Sequence, residues 1–252
     1  MKSVLSIISI AGIMTMIGCS SSKEWIIPPG QHPQHFEKKI VTDVGYDLLV
    51  YTPKDFSDGN KRWPLIIFLH GSGERGNDVN KLKVHSLPKI VDTKDDFPFI
   101  VVSPQSHEGE QWHPEGLNAM LDEVIRQLPV DTNRIYLTGL SRGGLGVWKF
   151  AIAHPERFAA IAPVCGWGIL EDVGNLKTMP TWVFHGAKDN VVSPTESEKM
   201  VEALKKSGNT EVKFTLYPDA NHNAWDATYA NQELYDWFLQ HTRKEQQKGT
   251  EK

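Results

Sequence analysis

Serine, aspartate and histidine occur in this chain in an order that suits acyl transfer. Residues 134 to 144 read Arg-Ile-Tyr-Leu-Thr-Gly-Leu-Ser-Arg-Gly-Gly, an apolar strand running into Gly139-Leu140-Ser141-Arg142-Gly143. A helical stretch follows at once. That order puts Ser141 on a tight strand-to-helix turn, where a Cβ at Gly139 or Gly143 would crowd neighbouring backbone. The hydroxyl would then stand above the sheet edge, beside the N–H groups of a helix N-terminus, where a nucleophile can reach a carbonyl carbon. A bare Gly-x-Ser-x-Gly is a weak signal, and the strand before it and helix after it give it meaning.

A serine hydroxyl needs a base near neutral pH, and the base needs an acid to orient it. On a strand–turn–helix scaffold of this kind the chain order is Ser, acid, His. Thr181-Trp182-Val183-Phe184-His185-Gly186 reads as a buried strand, and the loop Ala187-Lys188-Asp189-Asn190 sets Asp189 past its end. Val212 to Tyr217 alternates as a strand, and the following loop, Pro218 to Asn223, carries His222. All three side chains therefore fall at the C-terminal edge of the sheet, where open α/β sheets bind ligands. His222 is expected to take the Ser141 proton, and Asp189 to hold the imidazole in one tautomer. A tetrahedral intermediate also needs fixed donors for its oxygen. The expected pair is the N–H of Arg142 and the N–H of Ser72, in the loop after the strand Leu65 to Leu69.

Competing residues read as structural. Asp219 shapes the Pro218-Asp219 turn, His185 ends a strand at a glycine, and His70 holds the Ser72 loop. His154 caps a helix end, and the Arg142 side chain packs the turn. His32, His35, His85, His107, His113 and His241 lie in polar stretches and are expected in solvent. Trp112, Trp167 and Trp225 lie in loops that reach the same sheet edge. They are expected as substrate-binding walls for flat acyl groups or sugar rings, with loop packing the alternative for each. Cys165 is not needed as a nucleophile, because Ser141 holds that place.

These residues resemble the α/β-hydrolase superfamily, in particular its feruloyl and acetyl esterases and prolyl-oligopeptidase-like serine hydrolases. The resemblance is carried by His70-Gly71-Ser72-Gly73-Glu74-Arg75-Gly76-Asn77, Ser103-Pro104-Gln105, Gly139 to Gly144, His185-Gly186-Ala187-Lys188-Asp189 and His222. It runs from about Phe36 to Gln240. It implies a carboxylic-ester hydrolase with a Ser141–His222–Asp189 triad, acting on a small or polysaccharide-linked ester, with acetyl or feruloyl removal from polysaccharide as the specific expectation. A peptidase is the alternative, weakened by the lack of the propeller domain that gates such peptidases. A non-catalytic carbohydrate-binding protein would show a lost triad member, and none is lost. The stretch between Val164 and Met179 leaves room for only a small cap, which favours an open cleft. The motifs do not choose the substrate, because one scaffold hosts many chemistries.

The elements that must position these residues are legible as a single α/β domain, expected over residues 36–242, with a mostly parallel sheet and helices on both faces. Apolar segments at Leu65–Leu69, Phe99–Val102, Ile135–Thr138, Ala159–Pro163 and Thr181–Phe184 are short and nearly continuous, as strands covered on both faces are. Lys39–Val44 and Asp47–Tyr51 flank Gly45 and read as an antiparallel hairpin. Leu117, Met120, Leu121, Val124, Ile125 and Leu128 recur at helical spacing until Pro129. Ser193-Pro194-Thr195-Glu196 opens another helix, with stripe residues Met200, Val201 and Leu204 and a stop at Gly208. Leu234, Trp237 and Phe238 mark a last helix, and Gly144 and Gly146 are expected to let the helix after Ser141 lie close to the sheet. The tail over residues 243–252 is polar.

The N-terminus reads as an address. Lys2 precedes an apolar run from Val4 to Gly18, too short to span a membrane comfortably, and residues 1–18 are expected as a signal peptide. Met16-Ile17-Gly18-Cys19 resembles a bacterial lipobox, which implies a lipid on Cys19, a tether over residues 19–35 and membrane attachment in the cell envelope. Simple secretion is the alternative. The chain has 252 residues, 2 cysteines and a net charge of −4. No basic stripe points to nucleic acid. No metal-ligand spacing and no nucleotide-binding glycine loop is evident, so no cofactor is expected.

Overall fold

The computed structural model describes residues 27–39, 43–56, 61–94 and 96–243. The expected signal peptide, Cys19 and most of the tether lie outside the described residues, as does the tail from residue 244.

Burial follows the apolar runs. Strands β1 (Gly30–Lys39), β2 (Asp43–Thr52), β3 (Trp63–Leu69) and β4 (Ile100–Gln105) precede Ser141. Strands β5 (Val130–Leu140), β6 (Ala160–Val164), β7 (Thr181–Gly186) and β8 (Val212–Tyr217) complete one sheet in the order β1-β2-β4-β3-β5-β6-β7-β8. β1, β2 and β4 pair antiparallel, and every pairing from β4 through β3 to β8 is parallel. Every residue of β3, β4, β6 and β7 is buried, which is why these segments lack polar alternation.

The period of two along β3 divides the core. Leu65, Ile67 and Leu69 face one layer, with helices α2 (Pro114–Gln127), α3 (Arg142–Ala153) and α4 (Pro194–Lys206). Ile66 and Phe68 face the other, with α1 (Ser86–Val91), α5 (Trp225–Ala230) and α6 (Gln232–Leu239). Burying a side chain such as Leu69 or Phe68 contributes about 1.5–3 kcal/mol. The expected stripes are the buried faces of α2, α4 and α6. At α4 the Ser193 Oγ accepts the Thr195 N–H, Pro194 fills the first turn, and Gly208 follows the end at φ +91°.

Two expectations are corrected. Gly45 is not a hairpin turn: it lies inside β2 opposite Glu37, and the antiparallel pairing begins with Lys39 opposite Asp43. The first strand begins at Gly30, inside the segment expected as tether. β1 reads Gly-Gln-His-Pro-Gln-His-Phe, without alternating apolar residues. It is an edge strand, where polar residues and Pro33 are tolerated because one side needs no partner.

Candidate active site

Ser141 joins β5 to α3 with φ 53° and ψ −119°. A non-glycine residue holds such a backbone at a cost of about 1–3 kcal/mol, so its surroundings must enforce it. Its N–H donates to the Val164 carbonyl at 2.8 Å, and its carbonyl accepts the Leu145 N–H at 3.1 Å. The glycines around it are required by space. A Cβ on Gly143 would collide with the Leu69 carbonyl oxygen, and one on Gly139 would stand 2.6 Å from the same atom. Gly144 lies against Val164 and Gly166, as the expected close packing demands.

The two partners come to this turn from the ends of β7 and β8. His222 Nε2 lies 3.0 Å from Ser141 Oγ, and His222 Nδ1 lies 2.7 Å from Asp189 Oδ2. A carboxylate only accepts, so Nδ1 carries the proton and Nε2 is left to accept from the serine hydroxyl. Asp189 Oδ1 accepts the N–H groups of Val191 and Val192, each at 2.9 Å. Burial raises the pKa of Asp189, but the His222 hydrogen bond and these two N–H donors outweigh it and hold the carboxyl below its ordinary value.

The Ser72 loop is clamped at Gly71. The Gly71 N–H donates to Glu74 Oε2 at 2.9 Å, and its carbonyl accepts from His70 Nδ1 at 2.6 Å. His70 Nε2 accepts the Ser106 N–H at 3.0 Å, which fixes the tautomer. Burial lowers the pKa of His70 to about 4, so it stays neutral. The loop lies beside Ser141: a Cβ on Gly71 would be 3.7 Å from that of Ser141. Among the described residues, the backbone N–H groups of Ser72 and Arg142 have no acceptor.

The Arg142 side chain packs the turn, donating to Ser106 Oγ and the Glu110 carbonyl, each at 2.5 Å. It covers Trp112, whose ring centre is 5.3 Å from the guanidinium carbon. That contact corrects the expectation for Trp112. At 3 % exposure it does not wall a cleft; it fills the space above Gly146 between Tyr46 and His70. Trp225 is half-buried and meets His222 edge-on at 5.1 Å between ring centres. It opens α5 rather than lying in a loop. Trp167 is half-buried on the connection after β6.

Four residues here take places to which the sequence reading assigns no functional role. His185, which reads as structural, is wholly buried behind the acid, with Nε2 3.1 Å from Asp189 Oδ2. Glu74 and His85 form a pair at 2.9 Å beside the Ser72 loop, which corrects the expectation that His85 lies in solvent. Cys165, at φ 48°, is also drawn in, and its Sγ lies within 4.8 Å of ligand atoms of Asp189 and His222. Two of these atoms already bond each other, and burial with the nearby Asp189 charge pushes the thiol up to about 12. The trio therefore reads as the back of the Ser141 site rather than a metal centre.

Residues 169–245, which include Asp189 and His222, match the prolyl oligopeptidase family. A bifunctional acetylxylan esterase/xylanase of Neocallimastix patriciarum is 24% identical over 201 residues, covering 77% of this chain and 28% of that protein. The chain thus spans under a third of that relative. The crystal structure of a thermostable esterase superposes with a TM-score of 0.73 at 29% identity, over 84% of this chain and 63% of the other. A ferulic acid esterase shares the fold at a TM-score of 0.64 and 17% identity, over 84% of this chain and 97% of that one. Sheet order, the turn at Ser141 and these likenesses together give the chain the α/β-hydrolase fold, with sequence similarity to esterases and to the prolyl oligopeptidase family.

Proposed function

We propose that the chain is a serine hydrolase of carboxylic esters. The observation that carries this reading is the unbroken line Ser141 Oγ–His222 Nε2 and His222 Nδ1–Asp189 Oδ2, at 3.0 and 2.7 Å. In the proposed reaction Ser141 Oγ attacks the ester carbon while His222 Nε2 takes its proton. The carbonyl oxygen gains the charge and is met by the N–H groups of Ser72 and Arg142, each such donor being worth about 3 kcal/mol. Collapse breaks the ester bond, and the leaving alkoxide takes the proton from His222, leaving an acyl-Ser141. Water repeats the sequence with His222 as base and releases the acid. Asp189 stabilises the imidazolium and stays ionised.

For substrate we favour acetyl or feruloyl esters on polysaccharide, with Trp225 and Trp167 as the aromatic contacts. The names of the acetylxylan and ferulic acid esterases support this, as does the short connection between Val164 and Met179. The prolyl oligopeptidase match over residues 169–245 favours a second reading, a peptidase, at the same serine. We also propose that Cys19 carries a lipid that holds the domain at a membrane of the bacterial envelope. Labelling of the full chain, but not of Cys19→Ala, by a clickable fatty acid would test that point.

The deciding experiment compares wild type with Ser141→Ala on p-nitrophenyl acetate, together with a fluorophosphonate probe. Hydrolysis or labelling that survives the substitution refutes the nucleophile. A panel of acetylated and feruloylated oligosaccharides against peptide amides then separates the two readings.

A further inference from the structure

We infer that Glu74 is a positioning residue that sets the Ser72 loop, and that His85 and Trp225 tie this loop to His222. The inference rests on the esterase reading above. Glu74 is 7 % exposed and its two carboxylate oxygens have separate partners. Oε2 accepts the Gly71 N–H at 2.9 Å, and Oε1 faces His85 Nε2 at 2.9 Å. The Glu74 carbonyl in turn accepts from Gln105 Nε2 at 2.7 Å, so side chain and backbone are both fixed. His85 is held from its other nitrogen by Ser86 Oγ at 2.7 Å, and Ser86 itself has φ 60°. The His85 ring stacks on Trp225 at 5.5 Å, and the same indole meets His222 edge-on at 5.1 Å. Contacts therefore run without a gap from the peptide beside the nucleophile to the base.

A buried carboxylate is costly unless donors surround it, and a turn alone would not need one. Glu74 supplies something the turn lacks. By occupying the Gly71 N–H it fixes the plane of the His70–Gly71 peptide, and His70 Nδ1 holds the Gly71 carbonyl, which shares the next peptide with the Ser72 N–H. The next N–H, that of Ser72, is then the one left without an acceptor. Donors for a developing oxyanion act only if aligned before the reaction, so this restraint bears on the transition state and not on ground-state binding. Trp225 stands between His85 and His222 in ring contact with both, so the pair and the base share one neighbour.

The test measures kcat and KM on p-nitrophenyl acetate, and affinity for phenylboronic acid, which forms a tetrahedral adduct with an active-site serine. Glu74→Gln keeps an acceptor for the Gly71 N–H and is expected to retain most of kcat. Glu74→Ala is expected to lower kcat about 10- to 100-fold with little change in KM, and to weaken boronate binding by a similar factor. His85→Ala should move both quantities in the same direction, by less. A folded Glu74→Ala with unchanged kcat, or with only KM raised, overturns the inference. Should Glu74→Ala fail to fold, His85→Ala decides: parallel losses in kcat and boronate affinity support the inference, and no loss overturns it. A wild type inert to every ester and to the fluorophosphonate overturns the esterase reading and this inference together. An active wild type with an indifferent pair overturns the inference alone.

Discussion

His185 Nε2 lies 3.1 Å from Asp189 Oδ2, with both side chains wholly buried, so the acid of the site accepts from two histidines at one oxygen. The same Nε2 is 3.0 Å from the Val192 carbonyl. Both of those atoms only accept, so Nε2 carries the proton, and Nδ1 accepts from Ser197 Oγ at 2.7 Å. The N–H of His185 thus draws charge away from the oxygen that His222 uses. His185→Gln weakens that donor and loosens the hold on the Asp189 oxygen that orients His222. A several-fold fall in kcat with little change in KM is expected. A loss of stability with kcat unchanged would assign His185 to packing.

Asp189→Asn is expected to cost far more than the loss of one charge. Val191 and Val192 donate to Oδ1, so the amide oxygen of an asparagine must take that side. Its NH₂ then faces Nδ1 of His222, which must accept, and the ring proton moves to Nε2. The base then presents a proton to Ser141 where it should accept one. A fall in kcat of about 10⁴-fold is expected from such a tautomer change, with the fold intact. Steady-state kinetics on a variant shown to be folded by circular dichroism would check this, and an Asn variant within tenfold of wild type would refute the role given to Asp189.

The Ser141–His222–Asp189 line is legible in the sequence because its residues are reactive types placed just past apolar strands. Ser141, Asp189 and His222 need only chain order and strand ends to be found. The support behind them is not legible, because its meaning lies in contacts between distant segments. Glu74 belongs to a turn motif by sequence, and only the fold brings His85 to it, 11 positions on. His185 ends a buried strand, which says nothing about where its ring points. Trp112 shows the converse failure. Its type and loop suggest a cleft wall, but Gly146 leaves a space on α3 that the indole fills. β1 escapes notice because an exposed edge strand needs no apolar alternation.

Gly143→Ala is expected to damage both stability and activity. Its added Cβ would collide with the Leu69 carbonyl oxygen and meet that of His70 at 2.7 Å, both backbone atoms that cannot rotate aside. α3 must then move off β3, at a cost of about 1–3 kcal/mol or more, and Ser141 moves with it. Gly174→Ala is the control, since a Cβ there would meet nothing within 4 Å and the backbone φ is not left-handed. That change should stay within about 0.5 kcal/mol of wild type. Urea denaturation of the two variants measures the contrast, and equal stabilities would contradict the packing described at the turn.

His70 gives the fold a pH dependence separate from catalysis. Burial lowers its pKa from 6.5 to about 4, and the bond to the Gly71 carbonyl offsets this only in part. Above pH 6.5 both the folded and unfolded chains hold the ring neutral, and the group contributes no slope. Between 6.5 and about 4 the unfolded chain binds a proton that the folded chain refuses, so stability falls as pH falls. Below about 4 both forms are protonated and the loss from this group is complete. A shift of this size corresponds to roughly 3 kcal/mol. Asp189 adds to the trend lower down: its depressed carboxyl stabilises the fold above the ordinary carboxylate value, and that contribution is lost as pH falls through its folded value. His70→Gln removes the first of these titrations. It should be less stable than wild type at neutral pH, since a glutamine cannot hold Gly71 and Ser106 in the same geometry. Its stability should fall less steeply over that upper window in a series of urea denaturations. A variant with the wild-type slope there would show that the loss belongs to another group.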